Sequence, residues 1–231
     1  MAFKLINTGM ARSATLCFAQ FFKKQGINAT HQGISGICGS EHKLFPYDLD
    51  NWPRNVINYL SNNKKFQYFL KKDMPTVESN WTTGWILYPI HKTYPEIQFS
   101  IIIRDIEQQA NSLRVYRKRG AERRGNKYID DPNFFANKWL DYYRFVLEHL
   151  KRIKSEVFIL HFHKYIAGEY NTFLRSLFDI PATPENDREM NRIIFEKKPN
   201  CNKQPYQIKE ISKELKFQAK DLIKRLEDNA K

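Results

Sequence analysis

The 231-residue chain is poor in cysteine and long apolar runs, and each shortage removes a class of protein. Its three cysteines, Cys17, Cys38 and Cys201, are odd in number and widely spaced. They form neither a disulfide framework nor a zinc pattern, and read as free thiols in a reducing compartment. No apolar run approaches the roughly 20 residues of a membrane-spanning helix. The amino terminus enters a strand pattern without a signal-peptide signature, so a cytoplasmic protein is expected. No internal repeat is visible. No stretch ends in Gly-Lys-Ser/Thr, the close of a nucleoside-triphosphate P-loop. Negative charge is short too: 25 acidic residues face 38 basic ones, a net charge of +13. Such a surplus favours polyanionic partners, whether nucleic acid, anionic membrane or acidic glycan.

What remains has an ordinary globular balance, 42% hydrophobic and 27% charged. One domain over 1–231, large enough for a full core, is the expectation. Strand patterns fall at 3–7, 28–32, 66–71, 99–103 and 157–161. Helical patterns fall between and after them, at 14–25, 83–94, 107–118, 134–153, 169–178 and 208–227. This alternation predicts an α/β fold, a three-layer sandwich around a mainly parallel sheet of about five strands. The first, fourth and fifth strands read as apolar runs, as expected for strands covered on both faces. Gly26 is placed to end the first helix. Residues 33–53 and 179–205 read as loops, and loops at strand ends commonly build a binding crevice.

Two strand-to-helix transitions carry chemistry. After the first strand come Thr8-Gly9-Met10-Ala11-Arg12-Ser13-Ala14-Thr15, where a helix begins. First-turn amides have no partner within a helix, and that end carries partial positive charge. With the cation of Arg12 and the hydroxyls of Ser13 and Thr15, the turn suits phosphate or sulfate. The second transition is Phe99-Ser100-Ile101-Ile102-Ile103-Arg104-Asp105, followed by a helix bearing Ser112. Arginine binds phosphate through a planar fork, and a hydroxyl eight residues on can turn back to the same anion.

These segments resemble the sulfotransferase superfamily that uses 3′-phosphoadenosine 5′-phosphosulfate (PAPS). That family has a first loop similar to P-R-S-G-T-T and a later element similar to V-R-D-P-x-x-x-x-x-S. A third match runs through Trp139-Leu140-Asp141-Tyr142-Tyr143 and Val157-Phe158-Ile159-Leu160-His161-Phe162. The resemblance implies a P-loop NTPase-like fold, transfer of a sulfuryl group to a hydroxyl or amine, and release of 3′-phosphoadenosine 5′-phosphate (PAP). It implies that Gly9, Arg12, Ser13, Ala14 and Thr15 hold the 5′ end, with Arg12 on the leaving phosphate. Arg104 and Ser112 would hold the 3′-phosphate, and Phe162 would lie near the adenine. Two positions depart from the pattern: Ala14 replaces a glycine and Leu16 a threonine. Alanine is tolerated there if its backbone is helical, since only positive φ strongly demands glycine.

The resemblance also implies a general base. Aligning Pro75 with the family's K-T-H-x-P puts Asp73 at the histidine position, where a carboxylate can serve; His31, at the end of the second strand, is the rival. His161 and His163 lack a third ligand nearby, so no metal is expected. A late basic-glycine motif of the family has its nearest counterpart in Lys197-Lys198-Pro199-Asn200, which lacks the glycine. The basic stretch from Arg114 to Lys127 reads as a lid or as a loop for an acidic acceptor, with a carbohydrate favoured. Nucleic acid is possible but not favoured. Two rivals stay open: an ATP-dependent P-loop phosphotransferase, opposed by the missing Walker lysine, and a degenerate polyanion-binding relative.

Overall fold

The computed structural model describes residues 4–11, 13–31, 62, 67, 76–182 and 207–230. In chain order these form β1 (Lys4–Thr8), α1 (Thr15–Lys24), β2 (Asn28–His31), β3 (Thr76–Ser79), a 3-10 helix (Trp81–Trp85) and α2 (Leu87–Thr93). Then follow β4 (Gln98–Ile103), α3 (Ile106–Glu122), α4 (Pro132–Leu150), β5 (Val157–His161), α5 (Phe162–Ile166), α6 (Asn171–Ser176) and α7 (Lys213–Asn229). The five strands make one sheet in the order β2-β3-β1-β4-β5. Every pairing is parallel, so all five carboxyl ends lie along one edge.

The strands' alternation divides the core in two. Leu5, Val77, Ala29, Ile102 and Leu160 face α1 and pack with Phe18, Phe21 and Phe22. Burying each phenylalanine contributes about 1.5–3 kcal/mol. Ile6, Phe99, Ile101 and Ile103 face the other way, onto Ile90 of α2, Trp139, Tyr143 and Val146 of α4, and Leu215 and Leu222 of α7. Helix layers on both faces complete the predicted three-layer α/β architecture.

Local chemistry sets the helix ends. Gly26 takes φ 80°, as a left-handed terminator should, and the Ile27 amide bonds back to the Phe22 carbonyl at 3.0 Å. Asp105 caps α3, its Oδ1 accepting from the Gln108 amide at 2.9 Å. Asp131 caps α4 through the Asn133 amide, with Pro132 in the first turn.

One strand differs from expectation. Of the predicted strand at 66–71 the structure describes Gln67, which is helical. The third strand is instead Thr76–Ser79, buried along its whole length although three of its four residues are polar. Ser79 receives a hydrogen bond from Asn7 Nδ2 (2.8 Å), and Asn7 Oδ1 accepts from Ser100 Oγ (2.9 Å). Glu78 Oε2 accepts from Thr30 Oγ1. These cross-strand bonds satisfy groups that would otherwise cost several kcal/mol to bury.

Candidate functional site

The chain leaves β1 towards β2 on one side and later fills β4 and β5 on the other. The boundary between β1 and β4 is therefore the point where connections diverge, and crevices for ligands open there at the carboxyl ends of the strands. The loop after β1 lies against β4 at this boundary. A Cβ on Gly9 would come 2.5 Å from the Ile102 carbonyl oxygen and 2.5 Å from Ser13 Oγ. Glycine is required by that close approach.

Three side chains hold the loop. Gln109, on α3, donates from Nε2 to the carbonyls of Met10 (3.0 Å) and Ala11 (2.8 Å). Tyr143, on α4, donates to the Ile102 carbonyl (2.7 Å) and accepts from the Met10 amide (3.3 Å). Burial pushes the Tyr143 phenol well above its ordinary pKa, so it remains a hydroxyl. Beside it, Tyr142 donates to the Trp81 carbonyl (2.8 Å) and lies 2.9 Å from Thr8 Oγ1. None of these contacts could be read from local sequence, because each spans tens of residues.

The loop delivers Ser13, Ala14 and Thr15 to the start of α1. That helix has no side-chain cap. Ser13 is fully buried, and its Oγ has no hydrogen-bond partner among the described residues. Thr15 is also buried. Ala14 sits at φ 65°, ψ 23°, in the left-handed region. The condition under which alanine was expected to suffice, a helical backbone, is not met. Alanine here carries a strain of roughly 1–2 kcal/mol that glycine would not. Arg12 lies outside the described residues.

At the end of β4 the Arg104 carbonyl accepts from Trp139 Nε1 (3.1 Å), and its guanidinium lies 4.4 Å from the centre of the Phe162 ring. The structure thus brings together two of the predicted site residues from adjacent strand ends. Ser112 lies two turns into α3 and is buried. At the opposite edge, His31 closes β2, its Nδ1 2.9 Å from the Ser79 carbonyl. A carbonyl only accepts, so Nδ1 carries the proton and Nε2 keeps its lone pair. Burial lowers the His31 pKa against the opposing pull of the Ser79 bond. Asp73 lies outside the described residues, as do Lys197 to Asn200. Glu78 is a fully buried carboxylate on β3. Its local sequence does not mark it as part of a buried strand, since three of the four residues of β3 are polar.

The basic stretch divides. Arg114 belongs to the interior: it is 5% exposed, pairs with Asp130 at 2.5 Å and donates to the Gln207 carbonyl at 2.8 Å. Asn111 pairs with the Lys209 backbone on the same strap, donating at 2.8 Å and accepting at 3.0 Å. Arg117, Lys118, Arg123, Arg124 and Lys127 are exposed, and most of the run is helix α3 rather than loop. Among the described residues Lys118 alone of these five has an ion pair, a 4.0 Å contact with Glu122. His161 bonds Glu227 of α7 at 2.7 Å. Among the described residues no group of three His, Cys, Asp or Glu side chains could hold a metal ion.

No protein-family model matches the chain, and no curated protein sequence matches it. Solved structures do. Sulfotransferase STF9 from Mycobacterium avium superposes with a TM-score of 0.55 at 10% identity, covering 98% of this chain and 76% of that one. The sulfotransferase domain from the curacin biosynthetic pathway gives 0.52 at 12% identity, over 96% and 98%. Mouse sulfotransferase SULT7A1, complexed with PAP, gives 0.53 at 12% identity, over 98% and 83%.

Proposed function

From a sulfotransferase fold, we propose that the protein is an enzyme that transfers a sulfuryl group from PAPS to a hydroxyl or amine of its acceptor. The observation that carries this reading is the uncapped start of α1, where Ser13 Oγ is buried without a hydrogen-bond partner among the described residues. An acceptor-only anion would satisfy both the amides and the hydroxyl. Gly9 seats the loop directly against the Ile102 carbonyl of β4, where a side chain would not fit.

In this reading Gly9, Arg12, Ser13, Ala14, Thr15 and the first-turn amides of α1 hold the 5′ end. Arg104 and Ser112 hold the 3′-phosphate, and Phe162 stacks on Arg104 beside the adenine. When bound, PAPS supplies the activated sulfuryl group. Arg12 and the helix amides stabilise charge on the leaving phosphate. The base that takes the acceptor's proton is Asp73 or His31. His31 has a neutral ring with Nε2 unprotonated, held in one tautomer by Ser79. No metal enters the scheme.

The acceptor is proposed to be an acidic carbohydrate. Exposed cations on the outer half of α3 and the following turn begin about 8 Å along the helix from Ser112, five residues at 1.5 Å each. They support an acceptor that brings negative charge of its own. Among the described residues no helix is long and apolar enough to cross a membrane, and the sparse, odd set of three cysteines supports a cytoplasmic location.

Calorimetric titration with PAP, beside ADP and ATP-magnesium, tests the proposal. Selective binding of PAP is expected. Binding of ATP in preference to PAP would move the protein to the phosphotransferases. Salt-sensitive binding of polyanions alone would make it a polyanion-binding relative.

A further inference from the structure

We infer that Gln109 is a positioning residue that couples the two anion-holding elements, so that the helix bearing the 3′-phosphate serine also sets the shape of the 5′-end loop. This rests on the cofactor reading above. Gln109 is fully buried, and its two Nε2 contacts, 3.0 and 2.8 Å, are both to loop carbonyls. Carbonyls accept only, so the orientation of the amide is settled: nitrogen faces the loop. Ser112 follows three residues later on the same helix, which puts the two side chains on neighbouring positions of one face. Arg104 precedes the helix by two residues. One rigid segment, from Arg104 to Ser112, thus touches the loop at Gln109 and carries both proposed 3′-phosphate ligands.

The loop has little freedom to escape this hold. The Met10–Ala11 peptides are gripped from α3 by Gln109 and from α4 by Tyr143, whose hydroxyl bridges the Met10 amide and the Ile102 carbonyl. The Ser13 amide bonds back to Met10 at 3.1 Å. Removing the Gln109 donor takes a hydrogen bond from both the Met10 and Ala11 carbonyls beside the start of α1, and leaves the Met10 carbonyl with the Ser13 amide. Ser13 and the first-turn amides would then lose their fixed aim, while Arg104 and Ser112 would keep theirs.

The coupling predicts a ligand-selective defect. Adenosine 5′-monophosphate (AMP) uses only the 5′ subsite, adenosine 3′-monophosphate (3′-AMP) only the 3′ subsite, and PAP both. Gln109→Leu is expected to weaken AMP and PAP by about tenfold each, the worth of a buried hydrogen-bonding group, and to leave 3′-AMP within about twofold. Tyr143→Phe keeps the ring's packing on Trp139 (4.5 Å between centroids) and removes only the hydroxyl; it should show the same pattern. Titrations are run on both variants, with thermal unfolding to confirm the fold. Equal losses for all three nucleotides, or no loss in a folded variant, overturn the role of Gln109. If Gln109→Leu does not fold, Tyr143→Phe is judged by the same criteria. A wild-type protein that binds none of the three overturns the cofactor reading itself, and this inference with it.

Discussion

The guanidinium of Arg104 lies over the ring of Phe162, 4.4 Å from its centre. The contact joins the residue after β4 to the residue after β5, across a strand pair in register from Phe99–Val157 to Ile103–His161. The ring fixes the plane of the arginine fork, and the Trp139 bond to the Arg104 carbonyl fixes its backbone. An arginine held this way binds phosphate with less ordering cost than a mobile one.

Phe162→Leu should therefore weaken PAP without abolishing binding. A partly exposed cation–π contact contributes about 0.5–1 kcal/mol, so a loss of about threefold is expected. Arg104→Ala should cost far more, about 1.5–3 kcal/mol for a charge-assisted contact, and should spare adenosine 5′-phosphosulfate, which lacks the 3′-phosphate. Titration of both ligands against both variants checks this. Equal losses of the two ligands in Arg104→Ala would remove Arg104 from the 3′ subsite.

Ala14→Gly should stabilise the protein. At φ 65° an L-residue is strained by roughly 1–2 kcal/mol, while glycine's extra freedom in the unfolded chain returns part of that. A net gain of about 0.5–1 kcal/mol raises the melting temperature of a chain this size by about 1–4 °C. A fall in melting temperature would mean that the left-handed turn is not what the alanine endures.

Much of this could be read from the chain, and what could not has a common cause. The apolar strands β1, β4 and β5 were legible because burial on both faces writes itself as hydrophobic runs. So was Gly26, since helix termination is a local matter. β3 was not: Thr76, Glu78 and Ser79 are buried, yet their cost is met by Asn7 and Thr30 on neighbouring strands, and local sequence carries no sign of such partners. Gln109 and Tyr143 were invisible as loop braces for the same reason. Arg114 looks like its exposed neighbours in the sequence, because charge alone does not reveal an interior partner such as Asp130.

His149 should make stability fall as pH falls below neutrality. Its ring is fully buried, and Nδ1 accepts from the Tyr88 amide at 3.2 Å. Burial depresses its pKa from 6.5 to about 3, against a backbone bond with Trp85 and with help from Arg152. The folded state thus keeps the ring neutral while the unfolded chain takes up a proton. The contribution is complete above pH 6.5 and declines as pH drops towards 3. Between pH 7 and 5.5 the loss is about 1 kcal/mol. Urea unfolding at the two values should show it in wild type and show less in His149→Asn. The same decline in both proteins would assign it to other groups.

The exposed cations of α3 give the last prediction, which separates acceptor from cofactor. Arg117 and Arg124 are exposed and have no ion pair among the described residues. Exposed charges act through the field they make, so reversing them alters encounter with a charged partner far more than it alters the fold. Arg117→Glu combined with Arg124→Glu should leave the melting temperature and PAP affinity nearly unchanged. Binding of an acidic polysaccharide such as heparin should weaken about tenfold at low salt, and the difference from wild type should shrink as salt rises and screens the field. Loss of PAP affinity in this variant would bring the basic surface into the cofactor site. Undiminished heparin binding would place the polyanion elsewhere on the molecule and leave these arginines as a solvated face. Equal weakening of heparin and a single-stranded oligonucleotide would show that the surface reads charge alone, and the choice of a glycan would then rest on the acceptor's chemistry at the crevice.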